Sequence, residues 1–238
     1  MELKKDEQSI LKGSEGKAAQ KAMEILLAIG EIYGAERLIP VSSVQISGVS
    51  YKTIGDAGLE FLEDFAKSGA KIKCSATLNP LGIALEDNAK IIKAPESFVK
   101  KQRRILDAYL KMGAIATCTC TPYLAGHKPE FGEHIAWAES SAVVYANSVI
   151  GAQTNRESGI SALASAITGK TPLYGLHLKK NRAPKIAVNV EAELKGAADY
   201  SALGYYFTKN YNEIPLFTNI KPNRDELKAM SASLGIGS

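Results

Sequence analysis

The sequence predicts an α/β fold with parallel-rich sheets flanked by helices, and three observations predict it. Short apolar, β-like runs alternate with longer amphipathic stretches along most of the chain, the order that builds parallel sheets covered by helices. Three of the β-like runs empty into polar loops, at 47–53, 75–80 and 118–123. In open α/β sheets such loops gather at the carboxyl ends of the strands, where ligands bind. The 238 residues also show no internal repeat and no linker-like stretch, so positions 1–238 read as one catalytic-type region without an internal boundary.

Taken in order, residues about 14–34 read as a helix. Ser14 caps it, Ala18, Ala22, Ile25, Leu26, Ile29 and Ile32 form its apolar stripe, and Gly34 stops it. Residues 38–46 form a strand with Pro40 near its start. A short helix over about 57–67 stops at Gly69, and 71–74 is a short strand. The next helix covers about 95–112, with Pro95 suited to its first turn, Phe98, Ile105, Leu106, Tyr109 and Leu110 on one face, and Gly113 at its end. Residues 114–117 are β-like. The stretch 140–149 is apolar nearly all round, so it reads as a buried helix. Residues 159–167 form another helix closed by Gly169, and 185–190 a strand. A last helix over about 224–234 puts Leu227, Met230 and Leu234 on one side. The chain then stops just after that helix with no closing element, which suggests a truncated or split polypeptide.

Composition excludes several classes. Hydrophobic residues make up 45%, too many for disorder. The net charge of +4 comes from 29 basic and 25 acidic residues and is mild. The densest basic cluster, residues 100–104, has neither a recognition motif nor interleaved aromatics, so it reads as a solvated helix face rather than a nucleic-acid site. Residues 1–7 have no apolar signal core, and no apolar run is long enough to span a bilayer. A cytoplasmic protein without a membrane partner is expected. The odd count of three cysteines (Cys74, Cys118 and Cys120) forms no disulfide framework and fits thiols or metal ligands in a reducing compartment.

The stretch 114–157 concentrates thiols, hydroxyls, carboxylates, an amide and a guanidinium between apolar runs. Cys118 and Cys120 form a C-x-C, readable as metal ligands or as core thiols. Two thiolates alone fall short of a complete tetrahedral or cluster site. His127, His134 and His177 are the only histidines and fit either ligands or plain loop residues. Glu139 suits the N-terminal dipole of the following helix, and Ser140 and Ser141 could cap it. Residues 154–157 read as a turn plus helix cap, or as an anion site in which Arg156, beside a buried helix, takes a bidentate partner. Nucleophile-elbow, phosphate-loop and dinucleotide signatures are missing. The residues thus describe a polar crevice with thiolate and anion-binding capacity, suited to a lyase acting on a small anionic molecule. The alternative is a metal-free structural or binding protein.

The runs 46–58, 77–80, 119–123, 136–143, 146–148 and 154–157, with 174–177 and 203–206, resemble the catalytic (large) subunit of the aconitase X family in order and over essentially the whole chain. The resemblance implies an aconitase-like fold and a hydro-lyase. The implied reaction removes water from (R)-5-phosphomevalonate to give trans-anhydromevalonate 5-phosphate, in the mevalonate pathway of archaeal isoprenoid biosynthesis. A cis-3-hydroxy-L-proline dehydratase is the alternative within the family. It further implies an iron–sulfur cluster of the 4Fe–4S type acting as Lewis acid, with Cys120 as the metal ligand and Cys118 as a neighbour. The remaining ligands would come from a missing C-terminal part of the large subunit. Carried over by position, Glu139, Ser140 and Ser141 form the catalytic block. Ser47, Gly48, Ser50, Tyr51, Thr77, Asn79, Asn155, Arg156, Glu157 and His177 face substrate, with Arg182 a further candidate. The general base would be a serine of a small swivelling-domain subunit, a separate partner. Gln45, Gln153 and Ser158 depart from the family pattern, in which His, Arg and Gly are found at those places.

Overall fold

The chain's structure, a computed structural model, describes residues 1–84 and 94–236. Helix α1 (Lys5–Leu11) opens with the Glu7 carboxylate accepting the Lys4 amide at 2.8 Å. Helix α2 (Lys17–Ile32) starts after Gly16, not at Ser14. Ala18, Ala22, Met23 and Leu26 bury its inner face, while Ile32, expected in the stripe, is 77% exposed beyond the last covered turn. The single strand expected over 38–46 is two. Strand β1 (Leu38–Pro40) pairs antiparallel with β5 (Lys170–Pro172), whereas β2 (Ser43–Ile46) is the centre of a parallel sheet. One β-like run therefore serves two sheets, changing partner at Val41 and Ser42.

Helix α3 (Tyr51–Lys67) begins six residues before the expected start, because Ser50 accepts the Lys52 amide as N-cap, and it is broken at Gly55 by a positive φ of 60°. Strand β3 lies at Ser75–Leu78 and not at 71–74. Residues 71–74 instead tie helix ends together: Ile72 N donates to Met112 O at 2.9 Å and Lys73 N to Ala166 O at 2.8 Å. The polar-looking 75–78 earns its strand by burying Ala76, Thr77 and Leu78. Helix α4 spans Glu96–Met112, with Pro95 at the N-cap and Gly113 in the left-handed region at its end. The β-like 114–117 makes one parallel bridge, Ile115 to Thr77, and turns away when Thr117 N bonds Ile115 O.

Strand β4 (Ala136–Trp137) completes the parallel order β3-β2-β4. Helix α5 (Ser140–Tyr145) continues into a π-helical turn at Ala146–Ile150, so the expected helix exists but widens. Asn147 lies within that turn, and its side-chain amide reaches both Val143 O and Thr154 O. Val149 consequently faces outward, 37% exposed, against the expectation of burial all round. Helix α6 (Gly159–Thr168) is capped by Ser158, whose Oγ accepts Ser161 N at 3.0 Å, and is buried nearly throughout. The final segments are β6 (Ile186–Asn189), α7 (Ala197–Asn210), β7 (Pro215–Thr218) and α8 (Arg224–Leu234), with β6 and β7 parallel in a separate sheet. Helix α7 has Gly204 in its interior because α8 crosses closely there: a Cβ would stand 2.9 Å from Met230 O. The end of α8 reaches back to α5, with Gly235 against Ser140.

The central sheet sorts its side chains by face. Val44, Ile46, Ala76, Leu78, Ala136 and Ala138 join the core built with α2 and α6. The opposite face carries Gln45, Thr77 and Trp137, with Trp137 in a second cluster that includes Tyr123, Ala142, Val143 and Tyr145.

Candidate functional site

Five segments share one row. Gln45 pairs with Thr77 on one side and Trp137 on the other, Thr77 bridges to Ile115, and Trp137 to Arg156, all in parallel sense. Their carboxyl ends therefore open on the same edge. That edge gathers the loops after β2 (47–50), after β3 (79–82), after Ile115 (117–121), after β4 (138–139) and after Arg156 (157–158). The polar loops expected to share one crevice thus lie along one edge. Gly159 brings helix α6 against it, since a Cβ there would stand 2.4 Å from Ser47 O.

Ser47 and Gly48 sit half-buried at this edge, Gly48 with a φ of 72°. Tyr51 points its hydroxyl to Asp56 at 3.0 Å and receives Lys101 Nζ at 2.8 Å. Lys101 also pairs with Asp56, and Arg104 holds Glu63 through two bonds, so the basic cluster is a helix face laced with ion pairs. Asn79 is tied by its amide to Ile46 O at 2.9 Å. The two cysteines of the C-x-C part company. Cys118, at a φ of 47°, packs on the main core and its thiol pKa is raised by burial. Cys120 is exposed, carried on a turn in which Thr121 N donates to Thr119 Oγ1 at 3.1 Å. Cys74 is held by burial at about 11. Among the described residues no group of three or more His, Cys, Asp or Glu side chains could hold a metal ion. Of the three cysteines, Cys120 alone is exposed.

Glu139 is the N-cap of α5: its carboxylate accepts Ala142 N at 2.7 Å and is bonded by the hydroxyls of Ser141 and, at 3.4 Å, Ser140. The three expected catalytic residues are thus one hydrogen-bonded unit. The expected substrate residues after β4 divide. Arg156 is exposed, not enclosed as the flanking apolar sequence led one to expect. Asn155 turns inward, donating to Tyr174 O at 3.1 Å and accepting Leu176 N at 2.8 Å. Glu157 is 6% exposed; burial raises its pKa, opposed by hydrogen bonds from Ser161 and Thr171. His177 lies with its Nδ1 3.0 Å from His134 Nδ1. Burial first, then His134 and Arg182, depress its pKa to about 3. Asn155, Glu157 and His177 are therefore placed behind the edge, together with Arg182, which donates to Ala152 O, Asn147 O, Asn147 Oδ1 and Leu176 O. Two departures from the family pattern find local roles: Ser158 caps α6, and Gln153 donates to Gly132 O at 2.9 Å.

Buried polar atoms almost always find partners. Six such side-chain atoms are buried without one among the described residues: Gln45 Oε1, Asn79 Oδ1, Tyr123 Oη and His127 Nε2 belong to the edge or to the loop covering Gln45, whereas Ser165 Oγ on α6 and His177 Nε2 lie away from it. His127 is fixed by Thr77, with Nδ1 2.8 Å from Oγ1, and its ring lies 5.7 Å from that of Trp137. Burial lowers its pKa. Gln45 donates from Nε2 to Thr119 O at 3.1 Å, which leaves Oε1 over. Tyr123 stacks on Tyr145 at 3.9 Å, and its hydroxyl pKa is raised by burial and then by Tyr145, Cys120 and Glu139. A separate cavity of about 310 Å³ between β6 and α7, lined largely by Ile186, Val188, Leu203 and Phe207, has none of these groups. Four of these six atoms fall at the edge and none of them lines that cavity.

Sequence reasoning left His127 open and read Gln45 only as a departure. The alternation Ser43, Gln45 against Val44, Ile46 was the available signal that a polar side chain lies on an enclosed sheet face. Gln102 was missed altogether, hidden inside the basic cluster.

Fold and edge together define an α/β protein with a candidate ligand site at the carboxyl ends of a parallel sheet. The chain belongs to the aconitase X family: residues 1–180 match the model of the aconitase X first domain and 184–237 that of the second domain. It is 54% identical, over 99% of its length, to the phosphomevalonate dehydratase large subunit of Thermococcus kodakarensis, and 53% identical to that of Methanocaldococcus jannaschii. A cis-3-hydroxy-L-proline dehydratase of Pseudomonas aeruginosa is 36% identical. The crystal structure of Thermococcus kodakaraensis aconitase X in its holo-form superposes with a TM-score of 0.91 at 53% identity, over all of this chain and 59% of that one. The α/β, aconitase-like fold and the family expected from sequence are borne out. The chain spans about three fifths of the length of the large subunits it matches, 59% and 60%.

Proposed function

We propose that this chain forms one wall of a hydro-lyase that dehydrates (R)-5-phosphomevalonate to trans-anhydromevalonate 5-phosphate in an archaeal mevalonate pathway. The observation that carries this reading is the set of four unpartnered polar atoms on the sheet edge beside the exposed Cys120. The identities of 52–54% to four phosphomevalonate dehydratase large subunits, against 36% to hydroxyproline dehydratases, favour this substrate over the family alternative. In this reading Arg156 meets the substrate's anionic group, and Ser47, Gly48 and Asn79 line its path. Ser140 and Ser141, oriented by the Glu139 cap, face the reacting end.

Cys120 is the ligand this chain would give to an iron–sulfur cluster of the 4Fe–4S type. Such clusters take about four ligands, so the others belong to polypeptide outside this chain. Bound there, the cluster supplies a Lewis acid for the departing hydroxyl. The chain's residues hold the substrate, orient it and offer hydrogen bonds at Gln45, Tyr123 and His127. A small swivelling-domain subunit contributes the general base, and the assembly works in the cytoplasm. Among the described residues no helix is long and apolar enough to cross a membrane.

The test assembles the chain with its completing polypeptide and small subunit, anaerobically with iron and sulfide, and offers phosphomevalonate and cis-3-hydroxy-L-proline side by side. Phosphomevalonate turnover that Cys120→Ala abolishes is expected. Turnover of hydroxyproline alone, or of neither, overturns the assignment.

A further inference from the structure

Gln102 is wholly buried in the middle of the most basic stretch of the chain, on α4. All of its bonds go to backbone. Nε2 donates to Val49 O at 2.8 Å, and Oε1 accepts Tyr51 N at 2.9 Å and Gly82 N at 3.1 Å. Val49 and Tyr51 flank Ser50 in the loop after β2; Gly82 lies in the segment that follows β3. Two of the loops on the crevice edge are thus fastened to one helix by one amide. The fit around it is close: a Cβ on Gly82 would stand 2.7 Å from Ser50 Oγ, 2.9 Å from Gln102 Oε1 and 2.9 Å from the Phe98 ring. Neighbouring Asn79 N bonds Ile46 O, so the two loops also meet directly. Gln is the side chain for this task, because a single planar group must both donate and accept.

We infer that Gln102 is a positioning residue for substrate binding, fixing the 47–51 and 79–82 loops in the relative placement that the ligand needs. The inference rests on the functional reading above insofar as those loops contact substrate. Its role is on binding and not on bond breaking, since Gln102 itself is enclosed and, among the described residues, hydrogen-bonds to backbone. Cutting the tie should loosen both loops while leaving Cys120, Glu139 and Ser140, which lie on other segments, in place.

Two variants test this in the assembled enzyme. Gln102→Glu keeps an acceptor for Tyr51 and Gly82 but loses the donation to Val49 O, and Gln102→Met keeps the length and loses every bond. Hydrogen exchange at the Tyr51 and Gly82 amides and steady-state kinetics are read together. We expect exchange at both amides to rise about tenfold or more in Gln102→Met, and KM to rise about tenfold with kcat within about threefold. Gln102→Glu should lie between wild type and Gln102→Met. Should Gln102→Met fail to assemble, the same split in Gln102→Glu decides. Unchanged exchange overturns the inference, and so does loosened exchange with unchanged KM or with kcat and kcat/KM falling equally. If wild type turns over neither candidate substrate, the functional reading fails separately, and amide exchange still decides whether Gln102 fastens the loops.

Discussion

Two buried polar regions of this chain behave in opposite ways. Around Arg182, most hydrogen-bonding capacity is met: Asn147 O, Ala152 O and Leu176 O all accept from one guanidinium, with Asn147 Oδ1 beside them, and His177 Nε2 is the one buried side-chain atom there left without a partner. Along the sheet edge, Gln45, Asn79, Tyr123 and His127 each keep one atom in hand. A saturated cluster costs little to bury and fixes the chain that carries it. An unsaturated one costs stability and is kept where something else is to be bound. The first region acts as scaffold; the second is the candidate site.

The largest effect should come from breaking the scaffold. Arg182→Met removes all four guanidinium donations and leaves Asn147 Oδ1 only the Thr154 amide, so a loss of about 3 kcal/mol or more is expected in urea unfolding. A change below about 1 kcal/mol would mean that the carbonyls find water easily and that the contrast is false. On the edge the order of effects reverses. His127→Phe and Gln45→Met each remove one atom that lacks a partner and one formed bond, to Thr77 Oγ1 and Thr119 O respectively, so each should cost only about 1–2 kcal/mol, while turnover of the assembled enzyme falls about a hundredfold. Unaltered turnover would show that waters, not substrate, complete these groups.

How much of this was visible beforehand follows from what each residue's neighbours are. Helix α4, α6 and α8 were legible because period and punctuation agree: Gly113 and Gly169 end the first two in the left-handed region and Asn223 caps the third. Helix α7 was not, because Gly204 and the tyrosines at 205 and 206, both at least half exposed, blur its apolar face. Strand β3 was displaced because its polar residues, which signal a loop, are buried by strands that join from far along the chain. The crevice was legible as loops after strands, and Cys120 as distinct from Cys118 through the family likeness. In the structure the two thiols also differ in surroundings, Cys118 packing on the core and Cys120 exposed. Gln102, and the burial of Asn155, Glu157 and His177, were beyond reach: a polar side chain does not announce in sequence whether its partner is solvent, substrate or a carbonyl 50 residues away.

Acid should erode the scaffold region first. His177 has its folded pKa lowered to about 3 from an ordinary value of 6.5. Below 6.5 the unfolded chain binds the proton and the folded chain does not, so stability falls as pH drops from 6.5 towards 3, by up to about 1.4 kcal/mol per pH unit for that one proton. His134, also lowered by burial and Arg182, acts in the same direction. Glu157 works oppositely: its raised pKa makes folding favour the proton, so its contribution is lost as pH rises above 4.5. Unfolding midpoints at pH 7, 6 and 5 should decline for wild type and flatten in His177→Phe. An equally steep decline in that variant would relocate the acid sensitivity to other groups.

The smallest effect belongs to the feature most conspicuous in the sequence. The cluster at 100–104 supplies two exposed ion pairs, Lys101 with Asp56 and Arg104 with Glu63, and one buried amide between them. Exposed pairs gain little because water screens the charges and holding two long side chains together costs entropy. Arg104→Gln should leave the unfolding midpoint within error at 0.15 M salt and change neither KM nor kcat, although its two bonds to Glu63 are the best-formed ionic contact on that face. Gln102, two residues before it and uncharged, is expected to raise KM tenfold when replaced. Should Arg104→Gln move KM as much as Gln102→Met, the loops would be held by the charge lattice of α3 and α4 as a whole. The distinction between saturated buried groups and solvated ones would then fail on this face of the molecule.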